Sequence, residues 1–595
     1  MKIKNLVRVV ILALSAMMLA SCGSTQESLW LKSDEWSRGV YIGETRLISP
    51  VSFVTGADNS TFFLLVDLNE ETSNYSFDLV RLDSKTNALD HKSISVGVLQ
   101  SMKQPQIIRE GNDSFRLFWV ASEGMYTLVV SEEGEPVSEP VLLSGEDAVS
   151  SYDLAEAPDG SFTLWYAGSR RSPGIYALSA YDGSAQREVI DPDGMIIRLR
   201  YDKSSKLHTA WVHYPFGYEK TEAIYGVYDP ATGEFSTAFS ALFPLEIGPI
   251  ISLDDLALGV DDSNVYLFWA TNIHAGPQAG IIEANFETFP IGVTFQARSR
   301  YSISVPTIYS LEFNDLADDL KTGPRVSMDG LNAPMSAKIQ DFRTNVSPAG
   351  EVILAVRSPA EHQWRKTREQ VNLIYFDNGS LSAYQPLTFT TTVSTFPNVV
   401  NDQNDYVSIT WLEKSSSSLS TVYFASTDPQ MISRFETVSA GEALYIVYTV
   451  GFGMLIGALL APIAAGVWLL PPLAVLALFS FIRRLFPAKI EGYVSAVALI
   501  AAVVTVWLIK FAIFPLMVEY VPFSAWVPNI PVILGDVLRI GVPVFTLLVS
   551  SLIAWHFTYR RDNSSSLYFI MIYIGVDALI TTSIYAVLIY GTYVQ

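Results

Sequence analysis

Gly111-Asn112-Asp113-Ser114-Phe115-Arg116-Leu117-Phe118-Trp119 reads as a polar turn followed by an alternating strand that ends in tryptophan. Gly, Asn and Asp let the chain reverse, and the alternation puts Phe115, Leu117 and Trp119 on one strand face. The unit returns: Asp159-Gly160 leads into Phe162-Thr163-Leu164-Trp165, and strands end at Trp211, Trp269 and Trp411. Weaker copies without the tryptophan lie at 62–66 and 352–356. Trp119, Trp165 and Trp211 stand 46 residues apart each time. Four short strands in such a period are the signature of propeller blades.

Counting outward gives about seven four-stranded blades, near 48–96, 99–144, 149–190, 195–242, 253–296, 335–388 and 396–438, within a range of six to eight. Residues 297–333 are then an insertion or a degenerate extra blade. Residues 41–48 are expected to pair into the last blade and close the ring, removing its free sheet edges. A large ring at the same position in each blade predicts the packing layer between blades rather than a ligand platform.

One turn and strand, Pro158 to Trp165, resembles the Asp-box of sialidases, another propeller class. The spacing departs from Ser-x-Asp-x-Gly-x-Thr-Trp, and the element falls between first and second strands rather than third and fourth. The sequence also shows no arginine constellation for a carboxylate sugar. The resemblance therefore implies blade architecture alone.

The composition changes abruptly after 443. Four apolar segments, at about 443–470 (extending to 481), 493–518, 532–558 and 567–590, are each long enough to span a bilayer. The chain is thus expected to be multidomain, an all-β propeller followed by a transmembrane α-helical module of about four helices. Pro462, Pro471 and Pro472 are expected to break the first stretch into one span and an interfacial or re-entrant piece. The alternative is five helices with the later topology inverted. Arg483, Arg484 and Lys489 fall between the first and second segments, and Arg560 and Arg561 between the third and fourth. Positive-inside counting puts those loops in the cytoplasm, and the propeller, the 519–531 connection and the C-terminus outside.

The N-terminus carries a second address. Lys2, Lys4 and Arg8 precede an apolar run, and Leu19-Ala20-Ser21-Cys22 follows it, with Cys22 the sole cysteine of the chain. This resembles a bacterial lipobox, which implies a signal peptide over 1–21 and lipidation of Cys22. A linker at 22–38, the propeller at 39–439 and the transmembrane domain at 440–595 follow. The expected location is the bacterial cytoplasmic membrane, with the propeller on its extracytoplasmic side.

Charge narrows the partners. The chain carries −21, the transmembrane domain +1 and residues 1–21 +3, which leaves −25 for 22–439. An ectodomain so acidic lacks the basic footprint of a nucleic-acid binder. Acidic turns at 191–194, 254–255 and 261–262 offer oxygen ligands for calcium but lack the spacing of a calcium loop. No cofactor is otherwise expected, and no metal site is assigned.

Three stretches that follow second strands, 214–221, 272–280 and 359–370, should emerge on one side of the ring. They carry Tyr214, Phe216, Tyr218, His274, His362, Trp364 and Arg365, which suit a protein, peptide or glycan partner. Within the helices, Asp577 is expected to pair with Lys510 or Arg539, or Asp536 with Arg539 three residues on, either to fix packing or to move an ion. Catalytic motifs are missing from the sequence. The expected function is a non-enzymatic binding, sensing or assembly scaffold. The alternatives are a propeller glycan hydrolase or lyase, recognisable by two or three carboxylates at the central mouth, and an accessory subunit of a transport complex.

Overall fold

The computed structural model describes residues 28–590, apart from 30, 32, 34, 70–73, 87, 95, 97–100, 112, 146–147, 170–171, 215–220, 237–239, 245–246, 248–249, 293–299, 308–324, 329–334, 364–365, 389, 391, 403, 415–418, 436–439, 485–490, 514–531 and 560–564. Cys22 and the expected signal peptide over 1–21 lie outside the described residues. Two compact units emerge, one over Ser28–Ser310 and Asp315–Thr437, the other holding the C-terminal helices.

The first unit is a seven-bladed propeller. Its inner strands are Phe53–Thr55, Lys103–Arg109, Val149–Glu156, Gly194–Tyr201, Ile251–Val260, Gln340–Val346 and Ser394–Asn401, each opening an antiparallel sheet. Seven apolar clusters occupy the seven junctions between neighbouring blades. Strand alternation produces them: on Ser114–Ala121, Phe115, Leu117 and Trp119 face blade 1, while Phe118 and Val120 face blade 3.

Side-chain bonds to a neighbouring inner strand stitch all seven junctions. Ser52 Oγ accepts from Ile107 N (3.1 Å), Tyr152 Oη donates to Gln104 O (2.5 Å), and Asp153 accepts from Leu199 N (2.7 Å). Arg198 Nε donates to Leu256 O (2.6 Å), Asp255 accepts from Phe342 N (2.5 Å), and Asp341 accepts from Phe396 N (3.1 Å). Asn398 Nδ2 closes the circle on Val51 O (3.0 Å).

The ring is shut by the N-terminus. Gly39–Thr45 pairs with the third strand of blade 7, Ser420–Ser426, and Ser28–Leu29 adds a fifth strand outside it. Ser37 N donates to Ser426 O (2.8 Å) while Ser426 N donates to Ser37 Oγ (3.0 Å), so the chain enters and leaves the propeller side by side.

The tryptophan repeat needs one correction. Each first-to-second turn closes with a backbone bond accepted by Ser60, Ser114, Ser161, Lys206, Asn264, Glu351 or Tyr406. Five residues on stand Leu65, Trp119, Tyr166, Trp211, Trp269, Val356 and Trp411. Trp165 sits one residue early, so it faces the following blade while the other four tryptophans face the preceding one. The constant 46-residue interval hides this slip. All five rings are nonetheless at most 1% exposed, as an inter-blade layer requires.

Two boundaries also move. The outer strand of blade 5 is Tyr301–Ser302, inside the stretch expected to be an insertion. The rest of that stretch contributes Val305–Pro306, paired with Met335–Ser336, and Val326–Ser327, on the outer edge of blade 6.

The second unit follows α1 (Pro429–Phe435) and holds α2 (Ala440–Arg483), α3 (Glu491–Ile513), α4 (Val532–Tyr559) and α5 (Ser566–Tyr590). The last four are long and apolar enough to cross a membrane. The expected break in the first segment does not occur: α2 runs unbroken for 44 residues through its three prolines. Neighbouring helices and local adjustment satisfy the backbone groups that proline frees in apolar surroundings. At Gly457, a Cβ would lie within 2.1 Å of Thr582 O, so only glycine lets α2 and α5 approach this closely.

Candidate binding site at the channel mouth

Strand alternation sorts the propeller's loops onto two faces. First-to-second and third-to-fourth turns share one, the turn face. Second-to-third loops and blade connections share the other, the loop face, where the inner strands begin. Near that end the inner-strand register slips in six of seven blades, between Lys103/Gln106, Val149/Ser151, Met195/Ile197, Leu253/Asp255, Gln340/Arg343 and Thr395/Asn398. Four residues in these bulges hold positive φ: Gln104 (49°), Ile196 (53°), Asp341 (59°) and Phe396 (50°). An L residue there is strained, a β-branched one most of all. Such bulges re-aim side chains, and they cluster at rims and sites.

Just inside the bulges one residue per inner strand stands at a common level: Ser52, Gln106, Asp153, Arg198, Ala257, Arg343 and Asn398. All but Ala257 are polar and partly reached by water, whereas most of their chain neighbours are buried. They line the central channel. Arg200, on the same strand face as Arg198, reaches past blade 5 to Thr344 Oγ1 of blade 6 (3.3 Å) and stands 3.5 Å from Asp153 of blade 3.

The charges form a chain around the mouth. Arg198 stands 3.6 Å from Asp255, and Arg357 bridges Asp341 (2.7 Å) and Glu369 (2.5 Å). Glu369 also meets Lys338 (2.5 Å), and Gln340 Nε2 donates to Asp254 (2.6 Å). Burial pushes the guanidiniums of Arg200 and Arg343 down, Asp153 and Asp255 opposing it. Burial likewise raises the carboxyls of Asp255 and Asp341 against the pull of Arg343 and Arg357. At Glu369 burial is outweighed by Lys338 and Arg357, which lower it.

Arg198, Arg200 and Arg343 form an arginine cluster where the sequence shows no arginine constellation. Its sequence signal is Arg198 and Arg200 at alternate positions of one inner strand, with Arg343 on the inner strand two blades on. Neither forms a contiguous motif.

Of the expected partner-face residues, Tyr214 lies half-buried past the second strand of blade 4, its N–H bonded to Asp193 O (2.9 Å). His274 is exposed on the loop face of blade 5, its Nε2 2.6 Å from Ser252 Oγ. Phe216, Tyr218, Trp364 and Arg365 lie outside the described residues, as does the side chain of His362. The stretch 359–370 is mostly strand, the far end of the hairpin Val352–Gln363 with Lys366–Asp377. Among the other histidines, His208 is fully buried between Tyr225 Oη (2.6 Å) and Asp202 (3.3 Å).

The acidic turns spend their carboxylates on protein donors. Asp191 accepts from Trp211 Nε1 (2.7 Å) and lies 2.9 Å from His213 Nδ1, while Asp261 accepts from Tyr266 Oη (2.6 Å).

Another buried acid lies between blades 6 and 7. Glu413 accepts from Ser394 Oγ (2.6 Å), Trp411 Nε1 (3.0 Å), Thr390 Oγ1 (3.0 Å) and Thr392 Oγ1. Burial outweighs these donors and raises its carboxyl above 4.5. An acid raised in the folded state adds stability below its unfolded value and loses it as pH rises through the folded one. Asp255 and Asp341 add to the same trend, while Asp58 and Asp83, lowered from 3.8, withdraw stability below that value. The thermal midpoint of the propeller should therefore rise from neutral pH toward 4.5 and fall again below 3.8. Glu413→Gln should flatten the upper limb; an unchanged pH profile would show that Glu413 does not titrate there.

Within the helical unit, Lys510 Nζ stands 2.9 Å from both oxygens of Asp577, with Thr546 Oγ1 at 3.4 Å and the Trp468 ring centroid at 5.6 Å. Lys510 and Asp577 are 1% and 0% exposed, so the two expected partners meet in the core of all four helices. Arg539 is half-buried on α4, and the side chain of Asp536 lies outside the described residues.

No family model matches the chain, and no curated protein matches it. Solved structures resemble it faintly. The polysaccharide lyase Uly1 is 9% identical, with 64% of this chain and 90% of the lyase covered and a TM-score of 0.42. The β-propeller domain of the Trilobed protease from Pyrococcus furiosus is 10% identical, with 63% and 93% covered and a TM-score of 0.35. The GH93 α-L-arabinofuranosidase of Fusarium graminearum is 10% identical, with 66% and 98% covered and a TM-score of 0.35. Likenesses this distant carry no argument about activity; the blade count rests on the strand pairing of this chain itself.

Proposed function

We propose that this protein is a membrane-held binding scaffold whose propeller takes an extracytoplasmic protein, peptide or glycan at the loop-face mouth of its channel. The carrying observation is the water-reached ring of Ser52, Gln106, Asp153, Arg198, Arg343 and Asn398 inside a rim of bulged strands. Guanidinium, carboxylate, amide and hydroxyl groups there offer donors and acceptors of both signs, as a polar ligand requires. Lipid on Cys22 and the C-terminal helices hold the propeller at the outer side of a bacterial cytoplasmic membrane.

The test is photo-crosslinking in native membranes from two positions. Lys338 precedes an inner strand on the loop face, and Lys203, 72% exposed, sits in a turn on the opposite face. A photoreactive residue at 338 should capture an extracytoplasmic partner that the same residue at 203 does not. Equal capture from both, or capture from 203 alone, overturns the assignment.

A second reading, a glycan hydrolase or lyase, is favoured by the two channel carboxyls that burial raises, Asp255 and Asp341. A raised carboxyl is the form that protonates a leaving group. The same two groups are held by arginines and by backbone N–H groups of the next blade, which supports a structural duty and places this reading second.

A further inference from the structure

The interior of the helical unit is polar well beyond its ion pair. Thr546 and Ser550 share one face of α4, Thr558 continues their row of every fourth residue about 120° around the helix, and Tyr573, Asp577 and Thr581 share one face of α5. All six are 0% exposed. A connection of six residues, 560–565, joins α4 to α5, so the helices run antiparallel, and Lys510 touches Thr546 and Asp577 together. Ser550 then falls near the level of Tyr573, and Thr558 lies toward the connection.

The length of this seam is informative. From Thr558 to Thr546 is about 18 Å along the helix, and Asp577 to Thr581 adds about 6 Å. Together they approach the hydrocarbon thickness of a bilayer, about 30 Å.

Hydroxyls inside apolar helices ordinarily bond the carbonyl one turn back, as Thr505 does to Ala501 O (2.7 Å) and Thr582 to Ala578 O (2.6 Å). Ser550 Oγ, Thr558 Oγ1 and Thr581 Oγ1 instead have no hydrogen-bond partner among the described residues. A buried hydroxyl left unpaired is costly, the more so in hydrocarbon. Three of them in file with an ion pair are disposed to hold water and to pass protons along it.

We propose that the four-helix unit conducts protons along this seam, with Lys510 and Asp577 as its relay. The titratable groups at the relay are Lys510 from α3 and Asp577 and Tyr573 from α5. Thr546 of α4 and Trp468 of α2 face it uncharged, and Trp507 of α3 lies beside Tyr573. A proton arriving along the seam adds to the Asp577 carboxylate. The Lys510 ammonium, now without its counter-ion, gives one N–H proton to water on the other side of the relay. The Asp577 proton then crosses 2.9 Å to the Lys510 amine, restoring the pair. One proton enters, one leaves, and no bond between heavy atoms changes. The reading is independent of what the propeller binds.

The experiment uses the purified full chain in liposomes with a pH-sensitive dye inside and a potassium–valinomycin potential across the membrane. Wild-type vesicles should acidify faster than protein-free ones. Ser550→Ala with Thr558→Val keeps the ion pair and should lower the flux. Lys510→Met with Asp577→Leu, shown folded by its thermal melt, should return it to the protein-free rate. Should that variant not fold, the hydroxyl variant decides alone. Wild-type flux no faster than empty vesicles, or variants conducting like the wild type, overturns the proposal.

Discussion

Asp577→Leu alone should destabilise the helical unit by about 3–5 kcal/mol, the cost of leaving a buried charge without its partner. Lys510 would keep its ammonium among Trp468, Thr546 and apolar side chains, at 1% exposure and without a carboxylate beside it. Thr546 Oγ1 already donates to Pro543 O (2.8 Å), and a neutral hydroxyl cannot replace a carboxylate. The variant should accumulate poorly and elute as aggregate in detergent. Adding Lys510→Met should restore most of the loss, since apolar pairs of similar volume commonly match or exceed buried ion pairs in stability. Size-exclusion profiles and thermal melts of the two variants measure this directly. A single Asp577→Leu as stable as wild type would mean that the pair contributes little to the fold.

The second large effect concerns the closing strand. Ile42 is 0% exposed in the apolar layer between blades 7 and 1, against Phe53, Phe63 and Phe424. Ile42→Asp places an unpaired carboxylate there and should cost about 4 kcal/mol or more. The loss falls on the strand Gly39–Thr45, whose ladder pairs the N-terminal segment with Ser420–Ser426. Blade 7 would keep its inner three strands but expose a raw edge, so limited proteolysis should cut within 28–45 before any other blade yields. Glu44→Ala, on the exposed side of the same strand, should change stability by less than about 0.5 kcal/mol. Equal effects from the two substitutions would show that the strand closes nothing.

Blade architecture was legible because its signals are local. A polar turn and a period-two strand lie within a dozen residues, and seven copies reinforce one another. The helices were legible from length and apolarity alone, and Lys510 was one of the two partners the sequence offered Asp577. The channel site was not legible. Asp153, Arg198, Asp255 and Arg343 come from four blades and converge only when the ring closes, so no spacing along the chain announces them. Trp165 was misplaced for a subtler reason. Its turn is one residue offset from that of Trp119, and a one-residue slip turns a side chain to the opposite face without disturbing the repeat. The unbroken α2 shows the same limit, since proline's cost depends on neighbours that a sequence does not show.

The paired ends of the propeller have a mechanical meaning. Gly39–Thr45 and Ser420–Ser426 run antiparallel, and the chain approaches one and departs from the other at the same end, where Ser37 and Ser426 exchange hydrogen bonds. Tension applied through the two chain ends would load these bonds one at a time, peeling the strands apart like a zipper. The ring therefore has a weak seam, and it lies where the chain enters and leaves the propeller.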